Sequence, residues 1–119
     1  MQGTQLMIKP EETQAAPVIE HLGVRLDRGL RTASVHGRDL DLTATEFRLL
    51  DCLLSQPGRP FTRAELMQAA IHGGAIVLER TIDVHICSLR RKLDSPGLIE
   101  TARRVGYRFR KNPLPGKSP

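Results

Sequence analysis

Apolar positions along this 119-residue chain change their period twice, and the changes mark out the elements. Near the N-terminus they alternate: Leu22, Val24 and Leu26, then Ala33 and Val35, then Leu40 and Leu42, with Arg28-Gly29 and His36-Gly37-Arg38 as turn signals. A period of two between turns predicts a small antiparallel sheet of three or four short strands. The spacing then becomes helical. Thr43-Ala44-Thr45-Glu46 has the pattern of a capping box, in which the threonine hydroxyl accepts from a backbone N–H near Glu46 and the carboxylate reaches back. Phe47, Leu50 and Leu54, helped by Leu49 and Leu53, supply the apolar face of that first helix, and Gln56-Pro57-Gly58 stops it. Arg59 to Phe61 reads as a short extended link, with Phe61 as a hydrophobic staple before a second box, Thr62-Arg63-Ala64-Glu65. The second helix runs to about Ile71, His72-Gly73-Gly74 ends it, and a loop continues to about Leu78.

The third helix, from Arg80 to Leu93, has the sharpest pattern: Ile82, Ile86, Leu89 and Leu93 fall on one stripe. At 100° per residue the opposite stripe holds Arg80, Val84, Cys87, Ser88 and Arg91, flanked by Thr81 and His85. Ser95-Pro96-Gly97 breaks the chain before a final strand-turn-strand from Leu98 to Arg110. There Tyr107 and Phe109 share one side of the last strand and Arg108 and Arg110 the other; Gly106 is expected to take a positive φ at the bend, and Arg103-Arg104 to form a projecting tip. Met1 to Pro17 and Pro113 to Pro119 have no periodicity and read as a linker or tail and a second tail, leaving residues 18 to 112 as one folded unit.

Charge concentrates on the same C-terminal segment. Residues 80 to 119 carry ten of the eighteen cationic side chains against three acids, a net of +7, whereas the first 79 hold eight against ten, a net of −2. A localised positive surface attracts a polyanion. Short side chains on the outward stripe of the third helix let its backbone approach bases in a DNA major groove, while arginines at its margins reach phosphates. RNA would call for stacking aromatics, and Tyr107 alone lies near the basic surface. Catalysis has no support: there is no nucleophile elbow, no H-E-x-x-H and no phosphate-cradling glycine loop. No metal site is expected either, since His85 has no second ligand at suitable spacing and Cys52 and Cys87 form no ligand cluster. The absence of a long apolar run or a signal-peptide pattern, with only two cysteines, points to the cytoplasm.

Three segments, Leu42-Thr43-Ala44-Thr45-Glu46-Phe47-Arg48-Leu49-Leu50, Arg80-Thr81-Ile82-Asp83-Val84-His85-Ile86 and Val105-Gly106-Tyr107-Arg108-Phe109, closely resemble signatures of the OmpR/PhoB family of bacterial response-regulator output domains, over about residues 20 to 110. The resemblance implies an α+β winged helix-turn-helix: an N-terminal antiparallel sheet, three helices and a C-terminal β-hairpin wing. It implies sequence-specific binding of double-stranded DNA without a cofactor, with the third helix in the major groove, the wing in the adjacent minor groove, and protomers in a head-to-tail tandem dimer on direct repeats. Arg80, Thr81, Arg90 and Tyr107 match phosphate-contacting positions, Val84 and His85 groove-facing ones, and Thr101 and Arg103 wing contacts. Cys87, Ser88, Arg91 and Arg104 complete the candidate DNA surface. The loop His72, Gly73, Gly74, Ala75, Ile76, Val77 and Leu78 matches the one that faces RNA polymerase.

Three departures from the family bear on specificity. Ser88 stands where many relatives place a base-reading arginine, Ile71 where they have Trp, and Arg104 where they have Gly. The arginine at 104 is suited to a narrow, A·T-rich minor groove. Cys87 admits a redox role beside its simpler reading as a small groove-facing residue. No receiver domain precedes the winged helix in this sequence, so the chain is either an excised output domain or a stand-alone regulator; its linker-like first 17 residues favour the former, with a receiver domain and a cognate sensor kinase belonging to the full-length protein. The competing reading is a winged-helix protein-interaction module without specific DNA binding.

Overall fold

A computed structural model describes residues 17–70, 80–95 and 97–113. Expectations for the loop from His72 to Leu78, and for Ile71, lie outside the described residues, as does the side chain of Arg80.

Four strands, β1 (Val18–His21), β2 (Val24–Asp27), β3 (Thr32–Val35) and β4 (Arg38–Leu40), form an antiparallel sheet in sequential order. Val24 pairs with Val35 and Leu26 with Ala33, so all four point to one buried face while Arg25 and Ser34 point away. Two-residue turns close two of the hairpins. His36-Gly37 (φ 49° and 82°) was legible as a turn, but Leu22-Gly23 adopts the same left-handed pair (φ 51° and 86°), so Leu22 sits in a turn rather than continuing the alternation of β2. Both have the positive φ values of a type I′ turn, whose twist matches the flanking strands.

Helix α1 (Ala44–Ser55) begins at the anticipated box: the Glu46 amide donates to Thr43 Oγ1 at 3.1 Å and the Thr43 amide to Glu46 Oε1 at 2.9 Å. Its Phe47, Leu49, Leu50, Leu53 and Leu54 form the centre of the core. Gly58, at φ 88°, turns the chain and donates to the Phe109 carbonyl at 2.8 Å. The second box also forms, with Thr62 N–H on Glu65 Oε1 at 2.9 Å and Glu65 N–H on Thr62 Oγ1 at 3.0 Å. It opens α2 (Arg63–Ala70), whose last carbonyl accepts from Arg48.

The segment expected to be a simple link is a strand. β5 (Phe61–Thr62) pairs with β7 (Gly106–Phe109), which pairs with β6 (Ile99–Ala102), so the hairpin is part of a three-stranded sheet in the order β5-β7-β6. This pairing also changes the role of Gly106. Its φ is not positive; instead, a Cβ there would lie 2.1 Å from the Phe61 carbonyl oxygen, closer than any side chain tolerates. The left-handed residue of the bend is Arg104, at φ 67°, a conformation that glycine adopts without strain. His21 donates to the Arg110 carbonyl at 2.9 Å and meets Phe109 edge-on, joining the two sheets.

Candidate nucleic-acid interface

Helix α3 (Arg80–Leu93) buries the predicted stripe completely: Ile82, Ile86, Leu89 and Leu93 are at most 1% exposed. That burial rotates Val84, Cys87 and Arg91 outward. Its last turn carries Arg90, Arg91 and Lys92, favourable at the negative end of the helix dipole. Arg38, reaching from β4, donates to the Lys92 and Leu93 carbonyls at 3.3 and 3.0 Å, satisfying acceptors that the helix end leaves open.

The rotation of α3 is fixed by two polar hubs. Glu46, whose side chain is only 3% exposed, uses one oxygen for the capping box and for Lys92 Nζ at 2.7 Å, and the other for Ser88 Oγ at 2.6 Å. Burial by itself would raise its pKa. Hydrogen bonds from Lys92, Ser88 and the Thr43 amide, with the lysine charge, outweigh that and hold the carboxyl below its ordinary value. One carboxylate therefore starts α1 and fastens α3 to it.

Asp83, near the start of α3, is the second hub. Its Oδ1 accepts from Arg63 Nε of α2 at 2.9 Å and from the Tyr107 hydroxyl of β7 at 2.6 Å. Again burial opposes ionisation, and the two hydrogen bonds with the arginine charge prevail, depressing the Asp83 pKa. Tyr107 shifts upward, from its own burial and from donating to Asp83. The Arg63 and Arg90 guanidinium groups lie 5.8 and 5.3 Å from its ring centre. Arg90 also donates to the Ile99 carbonyl through Nε and one terminal nitrogen, at 3.1 and 2.9 Å, and to Thr101 Oγ1 at 3.0 Å. Helices α2 and α3 and the hairpin are thus fixed to one another.

Beyond this frame the hairpin ends in an exposed tip, Arg103, Arg104 and Val105, closed by the Val105 amide on the Ala102 carbonyl at 2.9 Å. Arg108 and Arg110, which contributed to the basic count, pair with Glu100 at 2.8 and 3.2 Å. Among the described residues of this segment the positive surface is narrower than the sequence suggested: Arg91 on the helix, Arg103 and Arg104 at the tip, and Lys111 are exposed, whereas Lys92, Arg108 and Arg110 are paired with Glu46 or Glu100.

The candidate DNA residues divide accordingly. Val84, Cys87, Arg91, Thr101, Arg103 and Arg104 are exposed, and Thr81 and His85 half-buried on the same side of α3. Three of the candidates have partners within the chain. Ser88 is not a free outward residue, because burial beside Glu46 favours the hydroxyl–carboxylate bond over solvent. Tyr107 is 7% exposed with its hydroxyl turned inward to Asp83. Arg90 directs Nε and one terminal nitrogen to the β6 backbone and Thr101. Sequence reasoning passed over Glu46, Arg63, Asp83 and Lys92 as interface-setting residues. Only Glu46 left a signal, in the capping box; the other contacts join positions far apart in the chain.

A four-stranded sheet, three helices and a hairpin whose arginine tip stands beside the third helix define a winged-helix domain. The family model described as "Transcriptional regulatory protein, C terminal" matches residues 37–109, and the chain belongs to that family, the OmpR/PhoB-type response regulators. The family is one of transcription regulators, not enzymes. BaeR of Escherichia coli O6:H1 is 43% identical over 88 residues, 71% of this chain and 37% of that protein. PhoB of Rhizobium meliloti is 40% identical over 87 residues, 71% of this chain and 38% of its own length. The chain thus spans less than half the length of these relatives. Among solved structures, the AdeR DNA-binding domain in complex with an intercistronic region superposes with a TM-score of 0.70 at 33% identity, covering 78% of this chain and 99% of that one.

Proposed function

We propose that this chain is the DNA-binding output domain of a bacterial two-component transcriptional regulator, acting in the cytoplasm by sequence-specific binding of double-stranded DNA. Helix α3 enters the major groove and the Arg103-Arg104 tip the adjacent minor groove. The observation that carries this reading is the division of α3 and the hairpin into a rigid inner frame and an outer surface, the latter bearing Val84, Cys87, Arg91, Arg103 and Arg104. Hubs at Glu46 and Asp83 hold helix and tip in fixed relation, which reading two grooves at once demands. The AdeR DNA-binding domain, solved in complex with an intercistronic region, supports the DNA-binding reading. Protomers bind head to tail on direct repeats, the loop from His72 to Leu78 faces RNA polymerase, and a receiver domain phosphorylated by a sensor kinase governs the full-length protein.

A protein-docking module would be expected to display a shared apolar patch. The exposed large hydrophobics among the described residues, Leu30, Val84 and Val105, lie on three separate elements. Selection of bound duplexes from a random pool tests the proposal: enrichment of one motif repeated in the same orientation is the expected result, and no enrichment over the input would refute it.

A further inference from the structure

Resting on that DNA-binding reading, we infer that Arg90 is a positioning residue for the wing: it clamps the hairpin to α3 from within the protein, and the tip engages DNA by virtue of that clamp. The sheet order β5-β7-β6 leaves β6 with a strand partner on one side only. Along an antiparallel strand successive carbonyls point to opposite sides. Where β6 begins, the Leu98 carbonyl accepts from the Arg110 amide at 2.7 Å, so the next carbonyl, that of Ile99, faces away from β7 along the open edge. Arg90, half-buried in the last turn of α3, occupies that edge. Its Nε and one terminal nitrogen converge on the Ile99 carbonyl at 3.1 and 2.9 Å, and the same terminal nitrogen reaches Thr101 Oγ1 at 3.0 Å.

The clamp sits where it controls the tip. Thr101 lies directly opposite Tyr107 and two residues before Arg103. On the other edge of the hairpin, β5 pairs with Gly106 and Tyr107. The base of the tip is thus held on both sides, by a strand and by a guanidinium. That guanidinium is planar and offers its donors in a fixed fork, so neighbouring acceptors on β6 define its orientation, and its carbon lies 5.3 Å from the Tyr107 ring centre. Lysine, a point charge on a flexible stem, cannot reproduce the fork. These donors are aimed into the protein, whereas the adjacent Arg91 is exposed. The two arginines therefore divide an inward task from an outward one.

A double-mutant cycle against the tip tests this, with the 119-residue chain and a duplex selected from a random pool. Arg103→Ala should weaken binding of the parent severalfold, but by no more than about twofold when Arg90 is already alanine, because a tip no longer held in place has little left to lose. Arg90→Lys, which keeps the charge and loses the fork, should bind as weakly as Arg90→Ala. In the DNA-free protein, backbone amides of the hairpin should exchange with solvent deuterium faster in both Arg90 variants, with those of α1 unchanged. Parent affinity restored by Arg90→Lys, or losses that simply add, would assign Arg90 to a phosphate and overturn the inference while DNA binding stands. Unchanged exchange in the hairpin would overturn it as well. If no duplex is enriched, the functional reading fails and this inference with it.

Discussion

At 2.6 Å from a carboxylate that is itself buried, the Ser88 hydroxyl is part of the frame that holds α3. Removing it in Ser88→Ala should cost about 1.5–3 kcal/mol in a urea or thermal unfolding measurement, as for a hydrogen bond to a charged group. The salt dependence of DNA binding should not change, since no phosphate contact is lost. Glu46, Glu65 and Asp83 all have depressed pKa values in the folded protein. A depressed carboxylate contributes stability that is complete above its unfolded pKa and is lost as pH falls through the folded one. Stability should therefore decline on acidification below the ordinary glutamate value of 4.5, and Glu46→Gln should be less stable at neutral pH with a flatter acid limb. The capping half of the Glu46 site was legible in the sequence because Thr43 and Glu46 are three residues apart. Its other half was not, since Ser88 and Lys92 lie 42 and 46 positions away and only packing brings them there.

At the scale of elements, local rules worked where an element is decided by its own residues and failed where a neighbour decides. Both capping boxes and the buried stripe of α3 could be read directly. The two-residue strand β5 could not, because it exists only by pairing with β7 some 45 positions later. Gly106 shows the same failure: a positive φ is the usual reason for a glycine in a hairpin, whereas here the backbone of β5 leaves no room for a Cβ. Leu22, with none of the usual turn chemistry, gave no warning of the turn it occupies. The wing tip is where backbone and function conflict. Arg104 holds a left-handed conformation that glycine adopts without strain, so Arg104→Gly should stabilise the domain by up to about 1 kcal/mol once the greater freedom of the unfolded glycine is counted. The same change removes a cation from the tip and should weaken DNA binding. A variant that melts higher yet binds less would separate the two effects; a lower melting temperature would show that the arginine side chain stabilises its own turn.

The molecule as a whole is a rigid body built to present two features at fixed separation. The N-terminal sheet is part of that body: Arg38 of β4 caps the C-terminal end of α3, and His21 of β1 rests on the last strand of the wing. Fold class and the buried and outward faces of α3 were legible because periodicity and the capping signals are carried along the chain. Net charge was a poorer guide to the interface, since half of the wing's basic residues are paired with Glu100. Among the described residues of α3 and the hairpin tip, Arg91, Arg103 and Arg104 are exposed, and these are the cations proposed to meet a DNA backbone. The salt dependence of affinity for a selected duplex, followed by fluorescence anisotropy, tests this most directly. Affinity should fall steeply and log-linearly with salt, with Arg103→Ala shallower in slope by about 1. A flat dependence, or a slope untouched by Arg103→Ala, would contradict an interface of α3 and wing tip on DNA.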